Sequence, residues 1–150
     1  MDDALRQKIL ALLDEHRIMT VATLRSDGWP QATTVGYASE GLTIYFLCGL
    51  DSQKAANLAR DNRLSLTIDH DTPQVMEIAG LSMAARAQAV TDPAEAEHVI
   101  AMLMRRYPEQ ASFPLPMPQP ADVRIFRVTP VVISVLDYTK GFGHTDLINC

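Results

Sequence analysis

Cys48-Gly49-Leu50-Asp51, followed at once by Ser52-Gln53-Lys54, is the part of this sequence whose residue types and spacing could do chemistry. An apolar run at residues 42–47 leads into it and a helical run leads out of it. A hydroxyl, a lysine and free backbone N–H groups therefore meet at a helix N-terminus. Such an arrangement suits a phosphate, because the N–H groups and the helix dipole both favour an anion there. Without a ligand, Lys54 on the first helical turn opposes the dipole by about 0.3–1 kcal/mol, a sign that a bound phosphate would reverse. The plainer reading is a solvated lysine. Ser52 or Asp51 can serve as the N-cap. An ionised Asp51 would repel a phosphate, so its side chain is expected to point away.

The other reactive groups are sparse. Cys48 and Cys150 are the only cysteines, and an intramolecular disulfide is not expected in a reducing compartment. Cys48 reads as a small filler, since no basic neighbour in sequence would lower its pKa. His16, His70, His98 and His144 show no metal-ligand spacing with each other or with the cysteines. Thr33 and Thr34 are adjacent on a strand, so they face opposite sides and only one side chain can meet a given ligand face. Trp29 before Pro30 is expected to pack at a turn or to serve at an interface.

The elements that position these groups follow from periodicity. Leu5, Ile9, Leu12 and Leu13 recur at helical spacing behind Asp2 and Asp3, which predicts an amphipathic helix over residues 3–15. Strands are expected at 18–24, 31–38 and 42–47, joined by the turns Ser26-Asp27-Gly28 and Ser39-Glu40-Gly41. Their short loops make them antiparallel hairpins. A helix over 52–62 interrupts the meander, and 64–69 resumes it with Leu64, Leu66 and Ile68 in alternation. A further strand covers 81–90, where Met83-Ala84-Ala85-Arg86-Ala87 has weak strand propensity and hairpin context decides. Asp92 and Pro93 open a third helix, which ends at Tyr107-Pro108. Residues 108–120 hold five of the nine prolines and read as a stiff extended connector. Two strands at 123–128 and 131–136, bent at Thr129-Pro130, finish the sheet ahead of a glycine-punctuated polar and aromatic tail, Asp137 to Asp146.

The expected architecture is therefore mainly β with peripheral helices, a six- to seven-stranded antiparallel barrel in a single domain spanning residues 1–150. An apolar fraction of 47% supplies its core. The net charge of −5 argues against a nucleic-acid or anionic-membrane binder, and no run approaches the ~20 apolar residues of a membrane helix. Met1-Asp2-Asp3 lacks the basic start of a secretory signal, so a cytoplasmic location is expected.

The order of these elements and their residues resemble the pyridoxamine 5′-phosphate oxidase-like family, the FMN-binding split barrels. The resemblance lies in Met19-Thr20-Val21-Ala22-Thr23-Leu24, Asp27-Gly28-Trp29-Pro30-Gln31-Ala32, Ile44-Tyr45-Phe46, Ser52-Gln53-Lys54-Ala55-Ala56-Asn57-Leu58 and Asp61-Asn62-Arg63-Leu64-Ser65-Leu66. It implies a split barrel and a homodimer with FMN at the subunit interface. Thr33, Thr34 and Val35 would lie along the flavin ring, Ser52, Gln53 and Lys54 would meet the phosphate, and Leu47 and Cys48 would sit between. The chain departs from the true oxidases at several points. Gln31 or Ala32 replaces the arginine beside the ring, Cys48 stands for a threonine, and Gln53 for an arginine. The tail lacks the Arg-Leu-His substrate motif.

The resemblance thus implies an FMN-dependent oxidoreductase with a small-molecule substrate other than pyridoxamine phosphate. Its rivals are a non-enzymatic flavin or small-ligand binding module, and the same fold using a deazaflavin coenzyme or haem. Tyr138, Lys140 and His144 either line a substrate pocket or lie on the surface.

Overall fold

The computed structural model describes residues 2–150. Its elements are α1 (Asp3–Glu15), β1 (Ile18–Leu24), β2 (Pro30–Gly36), β3 (Ala38–Glu40), β4 (Thr43–Gly49), α2 (Gln53–Arg60), β5 (Arg63–Asp69), β6 (Ala79–Ala89), α3 (Pro93–Arg106), β7 (Val123–Asp137) and β8 (Thr145–Asn149). All strand pairs are antiparallel, in the order β2-β1-β5-β6-β7-β4-β3, with β8 added beside β7.

The single strand expected over 31–38 is broken at Tyr37, and the break closes the barrel. β2 pairs with β1, whereas β3 pairs with β4, so the two ends of the strand order are consecutive in the chain. Tyr37 is fully buried at this corner; its phenol donates to the Leu13 carbonyl at 2.6 Å and its backbone N–H to that of Arg17 at 3.0 Å. Burial pushes the phenol pKa up to about 12, and both polar groups of the corner stay satisfied.

The split lies along β7. β6 follows it from Phe126 to Asp137 on one side; on the other, β4 pairs with its first part and β8 with its second. The changeover falls at Thr129-Pro130, where the register slips between Ala84 and Ala85 and leaves Val131 unpaired. A proline has no N–H to give the ladder, so a bulge is where a long central strand can hold one. At the far end of β6, a Cβ on Gly80 would come within 2.5 Å of the Ile68 carbonyl, which explains a glycine inside this strand.

The interior is filled by inward residues of the barrel strands, including Met19, Val21, Ile44, Phe46, Leu66, Ile68, Met83, Val128 and Ile133. Ile9, Leu12 and Leu13 of α1 cover the barrel at one point, and Ala55 and Leu58 of α2 at another. α3 packs outside the barrel through Ala96, Val99, Met102 and Leu103 against Ala38, Tyr45 and Ile125. Its C-cap, Tyr107, presses on Gly36, where a Cβ would lie 2.9 Å from the phenolic oxygen.

Two expectations need correcting. The proline-rich connector is not wholly extended: residues Pro108–Ser112 and Pro120–Asp122 form short 3-10 turns. The tail is not irregular throughout, since Thr145–Asn149 adds a strand to β7. Among the described residues, no helix is long and apolar enough to cross a membrane.

Candidate functional site

The structure gathers part of the expected site around the start of α2. Ser52 is the N-cap, its hydroxyl accepting from the Ala55 N–H at 3.1 Å. Lys54, half-buried on the first turn, reaches across to β2 and donates to the Thr33 hydroxyl at 2.8 Å. Among the described residues Lys54 has no carboxylate partner, and no acidic residue occupies the first turn of α2. An ammonium held by one neutral hydroxyl beside a helix N-terminus leaves that neighbourhood electropositive.

Beneath Lys54 lies a buried polar network. Asn57, on the next turn of α2, is fully buried; its amide donates to Thr23 of β1 at 3.0 Å and to Gln31 of β2 at 3.4 Å. It accepts in turn from the side chain of Gln53 at 2.8 Å. This network fixes the rotation of α2 about its axis, so that Lys54 faces β2. Sequence reading missed Asn57 and Thr23 as site residues. The available signal was a Gln-Asn pair at i, i+4 on an otherwise alanine-rich helix, whose polar side chains needed partners.

The remaining expected residues divide by strand face. Thr33 and Val35 turn inward, with Val35 packed against the main core, whereas Thr34 is exposed on the opposite face. Cys48 is buried in the main core and Leu47 packs on the other face with the α3 cluster. Side chains at Lys54 and Thr33 thus converge, while Thr34 and Leu47 lie on the far faces of their strands and would meet a shared ligand only through backbone. Asp51 is exposed in the turn. Trp29, expected to pack at its turn, is 72% exposed.

The tail is built differently. Asp137 pairs with Lys8 of α1 and accepts from Thr139, which holds its carboxyl well down, at about 2. Asp146 receives His144 at 3.2 Å and Lys140 at 3.5 Å, and the hydrogen bond from His144 lowers its pKa. Tyr138 and Phe142 stack edge to face, with Phe142 exposed. These contacts hold the tail by its own ion pairs. Among the described residues, no three His, Cys, Asp or Glu side chains are grouped to hold a metal.

No curated protein sequence matches the chain. Among solved structures, a conserved hypothetical protein of Mycobacterium tuberculosis is 25% identical, with a TM-score of 0.76 over 97% of this chain and 91% of that one. A haem storage protein of Vibrio cholerae is 23% identical, with a TM-score of 0.68 over 84% and 89%. A haem-binding protein of Mycobacterium smegmatis is 19% identical, with a TM-score of 0.74 over 99% of this chain and 59% of that one. The two haem proteins share the fold with this chain. The family model for pyridoxamine 5′-phosphate oxidase matches residues 5–137, nearly the whole barrel. The chain therefore belongs to the pyridoxamine 5′-phosphate oxidase family, as a split barrel with three helices.

Proposed function

We propose that the protein binds FMN in a homodimer, with the flavin between subunits, and acts as an oxidoreductase on a small molecule other than pyridoxamine phosphate. The observation that carries this reading is Lys54, an ammonium without a carboxylate, aimed by the Asn57 network toward β2. A phosphate there would complete its charge, gain the free N–H groups at the start of α2 and reverse the unfavourable dipole. Ser52 and Gln53 belong to the same turn, and Thr33, Thr34 and Val35 offer the backbone along which a ring would lie, with Leu47 and Cys48 at the end of β4 between them. Bound FMN would supply the electron chemistry, while the chain's own part is to place it and to hydrogen-bond its polar atoms. The absent Arg-Leu-His motif supports a different substrate.

Haem is the alternative within this fold. Each of the four histidines already has a hydrogen-bond partner: His16 with Leu12 and His70, His98 with Glu40, and His144 with Asp146. Among the described residues only His16 has both ring nitrogens engaged; His70, His98 and His144 each keep one for an axial ligand, so the histidines do not decide between haem and flavin. Absorption spectra separate the two. A flavin reading expects bands near the positions of free FMN after reconstitution, and a Soret band with haem but no spectrum with FMN contradicts it. Anaerobic reduction of the bound flavin by NADH or NADPH, followed by turnover with an acceptor, separates an oxidoreductase from a passive flavin carrier.

A further inference from the structure

We infer that the outer face of the sheet carries a second small-molecule site, shaped for a flat apolar anion such as an aromatic carboxylate. It does not depend on the flavin reading, and the one residue it shares with that site is Thr23, which lines the cleft and also accepts from Asn57. The site is a cleft of ≈ 370 Å³ between the end of the β1–β2 hairpin and strands β5 and β6, closed on one side by Val131.

The cleft arises from the register. Ala22 of β1, Ser65 of β5 and Ala84 of β6 stand side by side on the outer face, so three small side chains leave a hollow across three strands. The bulge in β7 then raises Val131, which is 44% exposed, as a wall. Leu24 and Pro30 supply apolar surface at the hairpin end. Ala84, a weak strand former in the middle of β6, is accounted for by the space it leaves, whereas Met83, Ala85 and Ala87 face the core.

One rim of the hollow is cationic for a reason that points to a ligand. Arg63 and Arg86 both line the cleft and sit directly opposite each other on β5 and β6. Like charges in that position repel. Asp61 neutralises Arg63 through two hydrogen bonds, at 3.0 and 2.7 Å. Arg86 meets only the neutral Asn62 amide oxygen, at 3.0 Å, and keeps its full charge and most of its donors. Arg60, bonded to the Leu24 carbonyl, adds to the positive field at the same end. In a chain of net charge −5 this is a local reversal of sign. A carboxylate matches the planar fork of Arg86, and an attached aromatic ring fills the alanine hollow. Neutral apolar compounds would gain only the second contact.

Calorimetric titration of the purified protein with 2-naphthoate and with the neutral 2-naphthamide tests the site. Naphthoate is expected to bind at least ~10-fold more tightly than the amide, reflecting one charge-assisted bidentate contact. Arg86→Gln should erase that preference. Ala84→Leu, a change on an exposed strand position that fills the hollow, should abolish binding of both compounds while leaving the melting temperature and the FMN titration unchanged. Equal affinity for acid and amide overturns the proposal, as does full naphthoate binding by Ala84→Leu. Absence of binding up to ~5 mM, for whatever reason including cover of this face by a second copy, also overturns it.

Discussion

The start of α2 and the Asp137–Asp146 tail are both polar and both carry lysine, yet their charges are arranged in opposite ways. In the tail the carboxylates have counter-ions, Asp137 with Lys8 of α1 and Asp146 with Lys140, and His144 is hydrogen-bonded to Asp146 as well. At α2 the ammonium of Lys54 meets only a hydroxyl, and the fold invests a fully buried asparagine network in holding that geometry. Balanced charges can hold a segment in place unaided. An oriented, unbalanced charge beside a helix N-terminus is complete only with something bound.

Substitutions can break or sharpen this contrast. The largest effect is expected from Asn57→Ala, which leaves Thr23 and Gln31 without their partner and opens a hole under α2. It should cost about 3 kcal/mol of folding stability, read from the denaturation midpoint, and should weaken FMN as well. Lys54→Ala should leave the midpoint unchanged and weaken FMN by about 2 kcal/mol, since it removes a charge-assisted contact from a group that does not hold the fold. Equal loss of stability in the two variants would erase the distinction between scaffold and ligand group.

The tail should respond to its ion pairs instead. Lys8→Met should cost about 1 kcal/mol of stability at neutral pH, since the pair is only partly screened, and leave FMN affinity intact. The pH dependence has a definite sign. The Asp137 carboxyl is held at about 2 in the folded chain against 3.8 ordinarily, so the unfolded chain binds its proton first. Its stabilisation is complete above about pH 4 and is lost as the pH falls through about 2. Lys8→Met should flatten that acid limb in equilibrium denaturation. The smallest effect is expected from His144→Gln: its contact with Asp146 is open to solvent, so the midpoint should hardly move. A large loss of turnover in this variant, with binding and stability retained, would instead give the tail a chemical role.

Most of the barrel was legible in the sequence because it rests on alternation and turn chemistry. Leu64, Leu66 and Ile68 mark β5 by period two, and Ser52 and Asp92 cap α2 and α3 as their residue types suggest. The break at Tyr37 was not legible, because a strand that changes partners keeps a strand's local pattern and only the fold reveals the change. β8 escaped for a related reason: its pattern is short, and pairing with β7 rather than propensity makes it a strand. In the site, Ser52 and Lys54 could be read from helix-end physics alone. The pairing of Lys54 with Thr33 could not, nor could the facing arginines at 63 and 86, since both depend on which strands come side by side.

The central claim is that an unbalanced, oriented Lys54 marks an FMN phosphate site. It is tested most directly by titrating FMN into the purified protein and into Lys54→Ala, following quenching of flavin fluorescence. Saturable one-to-one quenching per chain, with affinity at least ~10-fold weaker in the variant at unchanged melting temperature, is the predicted result. No quenching at any accessible concentration, or identical affinity in the two proteins, would contradict it.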